Sequence, residues 1–468
     1  MALPDTSRLV AELRRSPFAK AEALIRSLGL GSQASFSRLV ARAGDEIVAI
    51  GRARARRYAA SRDLEGVGRA MPLYRAGLDG TLVAIATLRP IAPGGWYVDD
   101  PARLPRWMRG ASGNGAFGRL PVFLDDARPA GFLGSAFARS HPEWLLPGDP
   151  ARWTDDDCVM ALARAGDDVP GDLVLGDESA RALYARRGTD AAPIAAADRS
   201  RAFPALAEAA IAGVTPGPAL GGVQPKFGAL VGDEGSPSHV LVKFSPAEYS
   251  PSARRWCDLI VSEHLALEAL RAHGVPAVES EIVEGGSRVF LQATRFDRAG
   301  SRGRRSVVSL AAMNDAYVGL PVYAGRWNET VGRLAADRWV SRDTVDAVRA
   351  LDAFGRFIAN TDMHLGNLSF LPRGDGTLEL APVYDMLPMG YAPVAGDLPA
   401  REFVAPLPDP GHEDAWSRAG TMALDYWRAV SRDERVSDSF RGIARDNATI
   451  VDRALDRLGT SGAAAPGD

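Results

Sequence analysis

Apolar residues in the opening sixty positions recur at helical spacing. A first helix is predicted over Thr6–Arg15, and Ala21, Leu24, Ile25 and Leu28 share one face of a second over Lys20–Leu28. Gly29-Leu30-Gly31 supplies a turn, and Ser32 is placed to cap a third helix through Ser35, Phe36, Ser37, Arg38 and Val40. Glu46–Ile50, a turn over Gly51–Arg54 and Arg56–Ala59 then read as a short hairpin, so residues 1–62 resemble a winged helix-turn-helix. Leu82–Leu88 is a good strand, Gly94–Gly118 is loop-like and rich in Gly and Trp, and 63–150 reads as a small β-containing subdomain. Helical patterns follow at Asp156–Arg164 and Ala202–Gly213, with an Ala- and Asp-rich surface loop near Arg187–Asp198 between them. Strands are expected at Phe227–Val231, His239–Phe244 and Val289–Arg298, and a helix at Ala253–Ala272, which together make 151–300 a sheet-bearing lobe. Residues 301–458 alternate helices with one polar loop, and the small polar tail 459–468 is expected to be disordered.

A chain of 468 residues should form two or three domains, and its 46% hydrophobic and 24% charged shares are those of a soluble protein. No run of about 18 apolar residues suggests a membrane span, and no secretory pattern is read, so a cytoplasmic location is expected. Cys158 and Cys257 are too few for a zinc site or disulfide framework and read as small core residues. The net charge of −3 hides an asymmetry: residues 1–62 hold 12 Lys+Arg against 5 Asp+Glu, the remainder 43 against 53. A basic segment on an acidic body points to duplex DNA. In the wing, Arg52, Arg54, Arg56 and Arg57 suit phosphates or a minor groove, while Gln33, Ser35, Ser37 and Arg38 are donors that reach base edges. A helix-turn-helix used for protein contacts, with a solvated Arg run, has the same letters; the basic balance favours DNA.

The chemistry sits in the polar loop Asn360–Asn367. Asp362 and Asn367 stand five positions apart, the spacing at which a kinase loop carries its proton acceptor and a Mg²⁺ ligand. Downstream, Leu378–Tyr384 reads as a strand that Asp385 ends, a natural position for a second metal ligand. An Asx-rich surface turn would look similar if it stood alone. Upstream, Pro216–Lys226 is a Gly-rich turn able to approach phosphates, though an ordinary hairpin turn also fits. Lys243 lies inside an apolar strand, where a buried ammonium needs a carboxylate; Glu263 and Glu268 on the following helix are candidates, and Glu263 lies amid more apolar neighbours. An edge-strand Lys with a snorkelling head is the alternative.

Taken in order, the Gly-rich turn with Gln224-Pro225-Lys226, Lys243, the helix Glu, Arg295-Phe296-Asp297-Arg298, Asn360–Asn367 and Pro382–Asp385 resemble the HipA family of bacterial serine/threonine kinase toxins of type II toxin–antitoxin systems. The resemblance spans about 70–450, and the fused N-terminal unit is similar to the single-protein branch of that family. It implies an α+β, bilobal, protein-kinase-like fold behind an N-terminal winged helix-turn-helix. It also implies ATP and Mg²⁺ as cofactors, a protein substrate such as a translation factor or aminoacyl-tRNA synthetase, autoregulation through DNA, and a homodimer. By resemblance Asp362 is the catalytic base; Leu220, Gly221, Gly222, Val223, Gln224, Lys243, Thr294, Arg295, Phe296, His364 and Asn367 contact ATP; and Asn367 and Asp385 bind the metal. Relatives carry a self-phosphorylated serine seven residues before the loop lysine, where this chain has Ala219; Thr215 is the nearest upstream hydroxyl. Two other functions compete. One is a small-molecule kinase, against which Asn360 stands where those enzymes carry His. The other is a DNA-binding regulator with an inert kinase fold, against which stands the intact set Lys243, Asp362, Asn367 and Asp385.

Overall fold

The computed structural model describes residues 5–186, 192–213, 224–233, 235–321 and 326–462, without the side chains of Arg54 and 458–462. The turn residues Leu220, Gly221, Gly222 and Val223, with Thr215 and Ala219, lie outside the described residues.

The N-terminal unit opens with helix Thr6–Arg15, which starts where Asp5 caps it and buries Leu9, Val10 and Leu13. Helix Ala21–Ser27 is shorter than its periodicity suggested, because Ala19–Lys20 pairs as a strand with Arg57–Tyr58 instead. Helix Gln33–Ala43 begins where the Ser32 side chain accepts the Ser35 N–H, and sends Phe36 and Leu39 into the core. Phe36 meets Tyr58 edge to face at 5.0 Å. The wing strands Ile47–Ile50 and Arg57–Ala60 complete a three-stranded antiparallel sheet. This unit is not a bead on a flexible tether. Val48, Ile50 and Ala59 pack with Ile91 and Tyr97, Ala92 N–H donates to the Ala60 carbonyl, and both Arg62 Nη atoms donate to Asp156.

Five antiparallel strands form the next layer, in the order Ala116–Phe117, Trp96–Val98, Leu82–Pro90, Met71–Ala76, Leu173–Leu175. The last strand lies past residue 150, so the expected boundary there does not hold. Residues 151–186, with helices Asp155–Ala165 and Asp177–Arg186, belong to this layer because Leu173–Leu175 pairs with Leu73–Arg75. No local pattern announces a pairing across a hundred residues.

A second antiparallel sheet takes the order Ser280–Gly285, Arg288–Thr294, Ser236–Phe244, Lys226–Asp233. Alternation along Ser236–Phe244 sends Val240, Val242 and Phe244 to one face, where they pack with Phe203, Phe227 and Phe290 under helix Arg199–Ala212. The opposite face, which carries Lys243, meets helix Pro251–Ala272. That helix is buried along nearly its whole length.

The remaining lobe is helical, built on Trp327–Ala336, Arg342–Phe357, Glu413–Arg432 and Asp438–Gly462. A small sheet of Val308–Ser309, Ser369–Pro372 and Leu378–Leu380 carries the polar loop. The strand predicted over Leu378–Tyr384 stops at Leu380. Pro382 has no N–H to donate, and Val383 leaves the sheet to exchange hydrogen bonds with Pro276 and Val278 of the other lobe, both at 2.9 Å. The last helix runs into the segment read as a disordered tail, reaching Gly462, since extending a formed helix costs little; 463–468 lie outside the described residues.

Candidate active site

Lys243 reaches from its strand to helix Pro251–Ala272, donating to Glu263 Oε1 at 2.7 Å and Oε2 at 2.8 Å, and also to Asp385 Oδ1. Lys243 is 7% and Glu263 2% exposed. Lys226 stands opposite Lys243 in the antiparallel register and is buried too. Like charges facing each other across strands destabilise a sheet unless something compensates. Here Glu263 and the half-buried Asp385 compensate, giving two ammonium groups and two carboxylates in one quartet. Burial works against the Lys243 charge, but Asp385 and Glu263 outweigh it and raise its pKa. Burial and the neighbouring Lys243 push Lys226 down to about 8. Burial opposes the Asp385 charge, yet Lys243 and Lys226 hold its pKa below the usual carboxylate range; burial raises that of Glu263.

Asp385 reaches this position through a left-handed turn, φ 56°, which Asp tolerates better than most residues. Its predecessor Tyr384 is fixed by hydrogen bonds to Ser369 Oγ at 2.7 Å and the Gly366 carbonyl at 2.8 Å, so it joins the polar loop to the strand exit.

The loop follows helix Arg342–Phe357 and is held on both flanks. The Asn360 side chain accepts the Asp362 N–H at 3.0 Å, and Asn367 Nδ2 donates to the Asp362 carbonyl at 2.9 Å. Both asparagines are buried, whereas the Asp362 carboxylate is exposed, so the fold fixes its backbone and leaves its charge accessible. Burial of part of that carboxyl raises its pKa, with His364 pulling the other way and Asp385 adding to the rise. His364 Nδ1 accepts the Gly366 N–H at 3.1 Å, and its carbonyl accepts Trp327 Nε1 at 2.9 Å. The end of the Met363 side chain packs onto Gly355, where a Cβ would lie 2.2 Å from the sulfur and would displace it.

Other expected site residues fare differently. Gln224 is half-buried, and its Nε2 has no acceptor among the described residues. The Thr294 N–H is already spent on the Glu279 carbonyl at 2.8 Å, which removes it as a donor to a base. Phe296 is half-buried with its ring 5.8 Å from that of Tyr384. The buried Arg295 guanidinium is turned away from the role expected of it, taken by Asp297 at 3.0 and 2.9 Å and by Asp168 at 3.2 Å. Lys226 was part of the motif but was given no role; a lysine in each of two adjacent apolar strands was the available signal.

Chemically, the quartet offers two cations to phosphate oxygens and an ionised carboxylate to a cation. Among the described residues no three His, Cys, Asp or Glu side chains cluster as a self-sufficient metal site. Asn367 and Asp385 are hard oxygen donors that suit Mg²⁺, which typically takes its remaining ligands from phosphates and water.

At the other end, Gln33, Ser37 and Arg38 are exposed on the third helix, and Arg52, Arg56 and Arg57 on the wing. Ser35 is half-buried behind the Ser32 cap. Arg57 donates to the Phe18 carbonyl at 3.1 Å and Arg52 lies 3.7 Å from Asp100, so both are partly engaged within the chain.

Comparison with known proteins adds names to this geometry. Residues 67–184 match the family described as YjjJ-like toxin, middle domain, and 218–445 the HipA-like C-terminal domain. The chain is 37% identical over 419 residues to Toxin YjjJ of Escherichia coli strain K12, covering 89% of this chain and 91% of that protein. A chain from the Shewanella oneidensis MR-1 toxin–antitoxin complex of HipA, HipB and operator DNA superposes with TM-score 0.51 at 16% identity, over 83% of this chain and 97% of its own. The Helicobacter pylori proinflammatory kinase CtkA gives TM-score 0.37 at 12% identity, over 52% and 94%. The bilobal, kinase-like α+β architecture is thus the HipA-like fold.

Proposed function

The chain belongs to the HipA family of toxins, and on that premise we propose that it is an ATP- and Mg²⁺-dependent serine/threonine protein kinase whose N-terminal unit binds duplex DNA. The observation that carries the kinase reading is the quartet of buried Lys226, Lys243 and Glu263 with half-buried Asp385, beside a backbone-clamped, exposed Asp362. Glu263 holds Lys243 at the position where it meets the phosphates of ATP. Lys226 adds a second cation, and the buried Gln224 Nε2 a donor in search of an acceptor. Asp385 and Asn367 would hold Mg²⁺, which would supply charge neutralisation to the phosphates. Asp362 accepts the proton of the attacking hydroxyl. The exposed Asp362 carboxylate favours a protein segment over a small enclosed substrate. The DNA reading rests on the basic balance of residues 1–62 and on the exposed Arg38 and Arg56. The kinase reading is tested by incubating the protein with γ-labelled ATP, Mg²⁺ and a bacterial lysate. Label should enter protein as phosphoserine or phosphothreonine and should require Mg²⁺; label found only in small molecules would refute it.

A further inference from the structure

Two oxygen donors serve a small cation only if their separation is held. Mg²⁺ demands near-ideal octahedral geometry at about 2.0–2.1 Å, whereas Ca²⁺ accepts irregular shells at about 2.3–2.6 Å. Asn367 and Asp385 reach the site on different segments, the polar loop and the chain that leaves strand Leu378–Leu380. One side chain spans the two segments. Tyr384 directly precedes Asp385, and its hydroxyl donates at 2.8 Å to the Gly366 carbonyl, which belongs to the peptide leading into Asn367. That peptide is planar, so a grip on its oxygen also fixes the direction in which Asn367 leaves it.

The hydroxyl is itself held in place. A phenol has one hydrogen, which goes to Gly366, so the Ser369 hydroxyl is the donor in its 2.7 Å bond to the Tyr384 oxygen. Ser369 is fixed by its neighbours: its carbonyl accepts the Ala381 N–H at 2.9 Å, and it pairs across the small sheet with Ser309. The Ser309 N–H in turn donates to Asp126 Oδ2 at 2.6 Å, which ties the small sheet to the chain that follows helix Val122–Asp125. The Asn367 amide completes the arrangement. Its Nδ2 is spent on the Asp362 carbonyl at 2.9 Å, so its oxygen, the atom able to ligate a cation, points away from that bond.

We propose that Tyr384 is a positioning residue for the metal: its hydroxyl sets the separation of Asn367 and Asp385, and thereby the preference of the site for Mg²⁺ over Ca²⁺. The inference rests on the kinase reading, which makes those two residues the metal ligands. The Tyr384 ring, 5.8 Å from that of Phe296, packs with or without its oxygen, whereas only the hydroxyl reaches Gly366. Removing that one oxygen leaves the loop and the strand exit joined by packing alone at this point. A small drift between the two ligands then breaks an octahedral Mg²⁺ shell before it disturbs a Ca²⁺ shell.

The test is calorimetric titration of a non-hydrolysable ATP analogue into the full chain with Mg²⁺, with Ca²⁺ and with neither. Tyr384→Phe is compared with wild type and with Tyr391→Phe, which removes another tyrosine hydroxyl of the same lobe, one bonded to Asn447 at 2.8 Å. In Tyr384→Phe the affinity gained from Mg²⁺ should fall about tenfold or more, the usual effect of removing a partner behind a metal ligand. The gain from Ca²⁺ should fall less than about threefold, because its shell is forgiving, and ion-free binding should not change. Tyr391→Phe should match wild type under all three conditions. Equal losses with both ions, a loss of ion-free binding, no change at all, or the same shift in Tyr391→Phe would each overturn the proposal. If Tyr384→Phe does not fold, Ser369→Ala decides, since it removes the hydroxyl that orients the phenol: a larger loss with Mg²⁺ than with Ca²⁺ supports the role, and equal or absent losses refute it. The two readings fail differently. A wild type that binds the analogue no better with Mg²⁺ than without ends the proposed metal site and this inference together, whereas unchanged variants beside an intact wild-type Mg²⁺ effect end this inference alone.

Discussion

The central quartet and the N-terminal wing both concentrate charge, and they do so in opposite ways. Lys243, Lys226 and Glu263 lie in a low-dielectric interior with Asp385 at its edge, where each buried ion needs a partner, and four segments of chain are fixed relative to one another to provide them. Arg38, Arg52, Arg56 and Arg57 stand in solvent, where geometry is loose and each charge counts for little alone. The centre is a set of assigned positions and the wing a sum. Substitution at the centre should therefore change chemistry sharply at one step, while substitution in the wing should produce small, additive changes.

The sharpest break should come at Asp362. Its backbone is clamped by Asn360 and Asn367, so Asp362→Asn removes the charge and leaves the loop in place. Phosphoryl transfer should fall about 10²–10⁴-fold, the usual worth of a general base, with Mg²⁺–ATP binding nearly unchanged. Single-turnover transfer and calorimetry separate the two. Transfer at the wild-type rate would end the assignment.

Next in size is a pH effect from Lys226, whose pKa lies near 8 instead of 10.5. Its folded value is depressed, so between about pH 8 and 10.5 the unfolded chain binds more protons and this group's contribution to stability grows as pH rises. Below about 8 the buried ammonium is charged, beside Asp385 and Glu263. ATP affinity should accordingly fall as pH rises through 8, by at most about tenfold per unit for one proton. Calorimetry at pH 7 and 9 on wild type and Lys226→Met tests this; the variant should lose the dependence. An identical slope in both would show that the lysine does not face the nucleotide.

This contrast also explains what could be read from sequence. The helices and wing of 1–62 were legible because caps and 3.6-residue periodicity are local, and Ser32 caps its helix as read. The positions of Lys243 and Glu263 were legible because a lysine in an apolar strand and a glutamate in an apolar helix each imply a partner. The Arg295 side chain turns to Asp297, two residues on, and to Asp168, more than a hundred residues away, and a strand end beside a polar connection looks the same whichever way its side chain turns. The fifth strand, Leu173–Leu175, was missed for the same reason.

The wing predicts smaller effects. Each phosphate contact removed should flatten the log–log salt dependence of DNA affinity by about 0.9. Arg56→Ala should do this equally on all sequences, while Arg38→Ala on the third helix should act mainly on a preferred site. Fluorescence anisotropy across a salt series, with specific and random duplexes, distinguishes them. A loss confined to one sequence on removing Arg56 would mean that the wing reads bases.

The smallest effect tests whether the wing is a simple sum. Arg52 lies 3.7 Å from Asp100 of the five-stranded layer, with side chains 82% and 54% exposed. Such pairs are worth about 0–1 kcal/mol, because water screens them and two long side chains must be held still. Phosphate must compete with Asp100 for Arg52, so Arg52→Ala should cost less than Arg56→Ala. Asp100→Asn removes the competitor and one repulsive charge, and should tighten DNA binding by no more than about fivefold. The gain should shrink as salt rises, since at 0.1 M ionic strength exposed charges are screened over about 10 Å. In the double variant Arg52→Ala, Asp100→Asn the gain should fall to the part due to repulsion alone. An Asp100→Asn gain that persists undiminished without Arg52 would make the carboxylate a repulsive neighbour of DNA and the pair incidental. No gain in either background would put Asp100 outside the DNA-facing surface and confine that surface to the third helix and Arg56.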